Sequence, residues 1–422
     1  MTYKYVTSHK FRTVWASLLL SALFYFLFDF LMPRSSSLEG LILTLASFIM
    51  VFSSIEYLDK KDFFTKIAKN VHLKRELKCM NNKEKKYVNS IIVSMLKENR
   101  MTTYSILDFT STAIEVRPFF PPINEKDNLF SIKILRGPYI KNEFTERFSE
   151  FEIIGEDHVI ASDFMDLKES EGIELENNTA IWITNIRQDG ASLTLWYELT
   201  KYYKKYSLNK QMYCKFPKEK NYPIKVLLEA IPDLKKGNYE IIKKLPLSVG
   251  CEVSVVTSDD KYIIVQRSHK EAVQRFYLNQ AASGAYDDTD LIESSDNEVE
   301  DIILNRFFSG AKRELRNETG INDNVIDSFS LLSLAYILSN NGLSFVFLCK
   351  VKITYKEFRS IYAKEYPLEK WEGRKILKVD LNDMISKSLR FKKFIKKYTG
   401  LLTDQLIVSM DSTIKYYTSK LH

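Results

Sequence analysis

At 422 residues the chain is too long for one compact core and implies two or three units, at about 100 to 200 residues per domain. Its 61 Lys+Arg against 54 Asp+Glu leave a net charge of +7, too small a surplus for a general nucleic-acid coat, so no duplex partner is expected; it suits a body held near an anionic membrane surface. Cys79, Cys214, Cys251 and Cys349 are scattered, with no Cys-x-x-Cys pair and no neighbouring histidines. That pattern argues against a disulfide framework and a zinc site, and points to a reducing compartment.

Two apolar runs open the chain, "VWASLLLSALFYFLFDFLM" (14–32) and "GLILTLASFIMVFSSIEYL" (40–58), joined by "PRSSSLE". At 1.5 Å rise per residue each is long enough for a hydrocarbon core of about 30 Å, and their closeness predicts a transmembrane hairpin over residues 1–59. A secretory signal peptide is the competing reading of the first run. No small-residue cleavage site precedes the second run, which favours the hairpin. Lys4, Lys10 and Arg12 precede the first span and Lys60, Lys61, Lys66 and Lys69 follow the second, so both termini are expected in the cytoplasm. Asp29 and Glu56 fall near opposite membrane surfaces and read as interfacial carboxylates.

Residues 60–99 carry apolar positions at helical spacing with lysines between, which predicts a juxtamembrane helical stalk. Residues 100–245 are expected to form a mixed, mostly β middle domain, on stretches such as "LFSIKILRG", "EFEIIGEDHVIAS" and "TAIWITNIRQDGASLTLWYEL". "LTKYYKKYSLNKQMYCKFPKEK" then interleaves tyrosines with lysines. Two readings stay open there: a surface that binds phosphates and stacks bases, and a solvated basic helix facing anionic lipid.

From 246 onward the elements are clearer. "LSVGCEVSVVTSDDKYIIVQRS" reads as two strands about a turn, "SLLSLAYILSNNGLSFVFLCKVKIT" as a hairpin around Asn340-Asn341-Gly342, "KILKVDL" as a strand and "TDQLIVSMDSTIKYYTSKL" as a closing helix. Between them lies a helix around "AKRELRNETGI" (311–321). Strands on both sides of a carboxylate-bearing helix imply an α/β/α sandwich.

In that helix Arg313, Glu314, Leu315, Arg316, Asn317, Glu318, Thr319, Gly320 and Ile321 follow the order Arg-Glu-hydrophobic-any-Glu-Glu-any-Gly-hydrophobic, with Asn317 at a glutamate position. This resembles the Nudix family over about 170 residues. Glu314 and Glu318 stand four apart, so both carboxylates leave one helical face. The resemblance implies Mg²⁺ or Mn²⁺ held by Glu314 and Glu318 against a diphosphate, Arg313, Gly284 and Gly320 shaping the cofactor site, and Glu369 or Glu372 before "KILKVDL" as candidates for a remote base. Ser283-Gly284 stands for the family's double glycine, and the 28 residues between Gly284 and Arg313 include a stretch with eight acids and no base, read as a solvated loop.

The expected fold is therefore a membrane-anchored α/β protein: hairpin 1–59, stalk 60–99, middle domain 100–245 and a C-terminal Nudix-like α/β/α sandwich 246–422. The whole order resembles the two-span Nudix effectors of bacterial cyclic-oligonucleotide anti-phage (CBASS) systems. That likeness implies an inner-membrane protein that senses a nucleotide or cyclic oligonucleotide, forms homo-oligomers and compromises the bilayer. The competing reading is a membrane-tethered, Mg²⁺-dependent hydrolase of nucleoside diphosphate derivatives.

Overall fold

The computed structural model describes residues 78–79, 82–124, 132–136, 179–189, 192–201, 214–215, 223–245, 247–267, 276–286, 304–364 and 373–420. The chain divides into two units, Met1–Glu76 and Leu77–His422, and all described residues belong to the second. Both predicted spans, the first half of the stalk, the acidic stretch 287–303, and Glu369 and Glu372 lie outside the described residues. Among the described residues no helix is long and apolar enough to cross a membrane.

In chain order the elements are β1 (Lys78–Cys79), α1 (Asn82–Glu98), β2 (Thr103–Ile106), β3 (Phe109–Asn124), β4 (Ile132–Arg136), β5 (Thr179–Asp189), β6 (Ser192–Lys201), β7 (Cys214–Lys215), α2 (Pro223–Lys235), α3 (Glu240–Lys244), β8 (Leu247–Val256), β9 (Lys261–Arg267), β10 (Leu278–Asn279) and β11 (Ala282–Ala285). They continue as α4 (Leu304–Thr319), β12 (Ile326–Ile337), β13 (Gly342–Val351), α5 (Tyr355–Lys364), β14 (Gly373–Asp380), α6 (Leu381–Ile385), α7 (Leu389–Lys397) and α8 (Asp404–Ser419).

The fold is mixed α/β around one 12-stranded sheet, in the order β2-β3-β12-β13-β8-β5-β6-β4, with β9 and β11 also pairing with β8, and β9 carrying β10 and β14. The β13–β8 and β4–β6 pairs are parallel and the other pairs antiparallel. Strands from the region read as a middle domain thus continue the same ladder as those that follow residue 246, through Trp182↔Ser248 and Ile183↔Leu247.

The hairpin predicted at Asn340-Asn341-Gly342 forms β12 and β13, and Asn341 takes the left-handed conformation at φ 50°. Its side chain is buried and accepts from Tyr336 Oη at 2.8 Å, a local bond that makes asparagine suitable there. β3 has no counterpart in the sequence reading. It carries Pro118, Pro121 and Pro122, and its register against β12 shifts between Ser333↔Pro118 and Leu331↔Ile123. Prolines have no N–H for a ladder, and an irregularity of this kind accommodates them. The start of the tyrosine–lysine run, Leu199–Lys201, is the end of strand β6 and not a helix; most of the rest lies outside the described residues.

Two helical layers cover the sheet. On one face α4 buries Phe307, Phe308, Ala311 and Leu315 with Val249, Cys251, Val253, Phe345 and Phe347. Phe307 stacks on Phe345 at 4.2 Å between centroids, and Phe308 meets Phe347 edge-on at 5.2 Å. On the other face α8 packs Leu406, Ile407 and Met410 with Tyr262, Ile264, Leu332 and Leu348. Alternate residues of β13 therefore serve opposite layers, the period-2 consequence of the pleat, and among the described residues helices lie on both faces of the mixed sheet.

Candidate functional site

The buried stripe of α4 points at the sheet, and Glu314 and Glu318 lie at the edge of that stripe, against β11. There the backbone comes close. A Cβ built at Gly284 would fall on the Glu314 carboxylate, so a side chain at 284 and this carboxylate position exclude one another. Glu314 is only 6% exposed, and the Arg313 guanidinium lies 2.7 Å from its Oε1, which offsets the cost of burying a carboxylate. One turn on, the Ser283 N–H donates to Glu318 Oε1 at 2.6 Å. Each acid is thus held by a fixed donor, one from its own helix and one from β11.

The electrostatics of this corner favour a cation. Both carboxylates stand in the last two turns of α4, whose C-terminal end carries the negative pole of the helix dipole, and like charges four residues apart repel. Burial and the nearby Glu318 charge, in that order, push the Tyr362 hydroxyl on α5 up to about 12. Among the described residues no group of three or more His, Cys, Asp or Glu could hold a metal ion. Two hard oxygen donors nonetheless fit Mg²⁺, which keeps several waters and is commonly held by one or two carboxylates together with phosphates of a ligand.

The structure therefore brings Arg313, Glu314, Glu318 and Gly284 together. Gly320 has another place: it follows α4 at φ 78°, and its N–H donates to the Arg316 carbonyl at 2.8 Å. Glycine there ends the helix in the left-handed conformation and directs the chain into buried Ile321. Asn317 is half-buried on the same turn as the two acids. Glu372, the remote base candidate, lies outside the described residues.

One buried acid was missed in the sequence. Glu252, 5% exposed on β8 and the register partner of Ser283, accepts from Ser344 Oγ at 3.1 Å and from Gln280 Nε2. Burial pushes its carboxyl up to about 8, so it is neutral over most of the physiological range. Its neighbours Asn279 and Ser283 are joined at 3.0 Å, and Thr403 Oγ1 donates to Asn279 Oδ1 at 2.8 Å. This polar brace supports the β10–β11 corner from the side opposite α4. The signal was available: a glutamate inside "GCEVSVV" sits where every neighbour of the run is small or apolar.

No family model matches the sequence, and no curated protein matches it. Among solved structures the chain is similar to a NUDIX hydrolase from Nitrosomonas europaea, at 14% identity and TM-score 0.24 over 41% of this chain and 90% of that one. It is similar to a MutT protein from Methanosarcina mazei Go1, at 11% identity and TM-score 0.22 over 42% of this chain and 95% of that one. A third neighbour is DR0079 from Deinococcus radiodurans, at 11% identity and TM-score 0.22 over 36% of this chain and 83% of that one. The mixed α/β fold is read from the sheet and its helices, and the reading of the site from the contacts of α4 with β11.

Proposed function

We propose that the corner formed by α4 and β11 binds a nucleotide carrying a diphosphate or a comparable phosphate array, together with a divalent cation, and that this recognition controls a membrane effector of the anti-phage kind. The observation that carries the binding half is the seating of Glu314 on Gly284 and of Glu318 on the Ser283 N–H, which preorganises two carboxylates at the negative end of a helix. A bound Mg²⁺ or Mn²⁺ would neutralise phosphate charge there. Arg313 positions Glu314, the Ser283 N–H positions Glu318, and the neutral Glu252 with Gln280 supports the strand that carries both contacts.

The effector half rests on the two apolar runs of the sequence, read as an inner-membrane hairpin with cytoplasmic termini, and on Asn317. An amide carries no charge, so the departure weakens hydrolysis more than it weakens binding. Ligand-driven clustering of the chains would bring several hairpins together, since one hairpin has too few helices to enclose a pore. Cells making the full chain should keep their membrane potential until a cyclic oligonucleotide is supplied and then lose it, and deletion of residues 1–58 should remove the effect. Equal toxicity from the truncated chain would overturn the membrane mechanism.

A specific observation keeps a second reading alive: the same two positioned acids suit a Mg²⁺-dependent hydrolase of nucleoside diphosphate derivatives. That reading predicts Mg²⁺-dependent turnover on a nucleotide panel, loss of the rate by orders of magnitude in Glu318→Gln, and a gain in Asn317→Glu. Absence of turnover by the wild-type protein leaves the receptor.

A further inference from the structure

The surface around α7 has a chemistry that neither the nucleotide corner nor the core uses. From Met384 to Thr403 the chain contains six cations, Lys387, Arg390, Lys392, Lys393, Lys396 and Lys397, and no acid. All six are exposed. The helix is fixed to the body by its other side: Ser388 caps it by accepting from the Phe391 N–H at 3.2 Å, Phe391 and Ile395 are buried, and the Phe394 and Tyr398 rings meet at 4.9 Å, tilted by 51°. At 100° per residue, those four side chains occupy one face, and the opposite face is centred on Leu389 with Lys393 and Lys396 on either side.

Leu389 is 76% exposed, the most exposed large hydrophobic residue among those described. Two more apolar side chains lie at the far end of the same segment. Leu401 is 36% exposed, and its carbonyl accepts from the Leu278 N–H at 2.7 Å, which brings Phe276, 40% exposed, to that end. No ion pair among the described residues involves Arg390, Lys392, Lys393 or Lys396. A solvated helix face is normally a mixture of both signs; this one has a single sign around a protruding leucine.

We infer that the outer face of α7 is a docking surface for an anionic lipid bilayer, with Leu389 entering the headgroup boundary and the surrounding lysines and Arg390 meeting lipid phosphates. Charge complementarity selects this occupant. A nucleic acid or an acidic protein would satisfy the cations but leave Leu389 in water, whereas a bilayer takes both, as basic amphipathic helices do. The inference stands apart from whatever Glu314 and Glu318 bind, and also from the predicted hairpin, because it concerns where the folded body rests and not what anchors the chain.

The test uses the full-length protein with Leu389→Cys carrying an environment-sensitive dye, and with Cys79→Ser and Cys214→Ser so that only the buried Cys251 and Cys349 remain besides the label site. Incubated with vesicles of phosphatidylcholine containing phosphatidylglycerol, the dye should shift to the blue, and raising the salt concentration should reverse the shift. Each neutralised lysine should weaken docking about five-fold, so Lys392→Gln, Lys393→Gln and Lys396→Gln together should weaken it on the order of a hundredfold. These positions are exposed, and an unchanged melting temperature will show that the variant is folded. An equal shift on pure phosphatidylcholine, no shift on the anionic vesicles, or a response to a soluble acidic peptide but not to vesicles would each overturn the lipid assignment.

Discussion

Strands β8 and β13 present Val249, Cys251, Val253, Phe345 and Phe347 to α4, and Ser248, Glu252, Ser254 and Ser344 to the side covered by α8. On the first side the carboxylates described lie at the end of the helix, where Glu314 and Glu318 meet β11, and the layer itself holds isolated neutral bonds such as Tyr286 Oη to the Phe307 carbonyl at 3.0 Å. On the second side it runs through the layer itself: Ser254 with Tyr262 at 2.9 Å, Ser333 with Ser412 at 3.0 Å, Glu252 with Gln280, and Lys415 bound to Glu115 at 2.9 Å and Asp411 at 3.1 Å. A buried acid thus acquires its role from its surroundings. Glu314 is held against the Arg313 guanidinium at the end of α4, whereas at Glu252 burial outweighs the Ser344 hydrogen bond and the Arg267 charge and pushes the carboxyl up to about 8. At pH below about 8, turning the Gln280 amide over would let that proton reach Oε1, which has no other partner among the described residues.

The apolar side is the more easily destabilised of the two. Phe307→Ala removes a fully buried ring stacked on Phe345 and should lower the unfolding free energy by about 3 to 5 kcal/mol, read by denaturant titration. Lys415→Met should cost less, about 2 to 3 kcal/mol, because it leaves Glu115 and Asp411 facing each other without their cation. A smaller loss there would mean that the polar layer tolerates charge better than its burial suggests.

Gly284→Ala perturbs the carboxylate corner directly. The new methyl group needs the space of the Glu314 carboxylate, so a loss of about 1 to 3 kcal/mol should accompany a loss of divalent-cation binding. Glu252→Gln should have the smallest effect at low pH, at most about 1 kcal/mol, since it replaces a neutral carboxyl by a neutral amide. Its consequence lies in the slope. The folded state holds the Glu252 proton more tightly than the unfolded chain, so the stabilisation is complete below 4.5 and is lost as pH rises to about 8. Wild-type stability should fall by a few kcal/mol over that window, and the Gln variant should not follow; parallel curves would show that Glu252 does not titrate there.

Much of the C-terminal half was legible because its signals are local. Alternating β-branched residues mark β8 and β9, Asn341 marks the β12–β13 turn, and the Arg313–Ile321 pattern marks the end of α4. What escaped depends on distant partners. β3 is interrupted by prolines and is held by β12, more than 200 residues away. A helix as short as α6, five residues long, has too few turns to show a period. At the site, Glu314 and Glu318 stood out through the resemblance carried by the Arg313–Ile321 pattern, but the contacts that hold them come from Ser283 and Gly284, across a stretch of chain whose length hides the approach. Glu252 was missed because a single acid in a strand has no sequence partner, and Gln280 and Ser344 meet it only after β8 has paired with β11 and β13.

Binding of Mn²⁺ to the full-length protein, followed by electron paramagnetic resonance in parallel for wild type and Glu318→Gln, addresses the carboxylate corner directly. The variant keeps the volume and hydrogen-bonding reach of the side chain at 318 and removes only its charge. The account predicts a saturable Mn²⁺ site in the wild-type protein that weakens by at least about tenfold in Glu318→Gln, at unchanged melting temperature in the absence of metal. Equal Mn²⁺ affinity in the two proteins would show that the end of α4 is not where the cation binds.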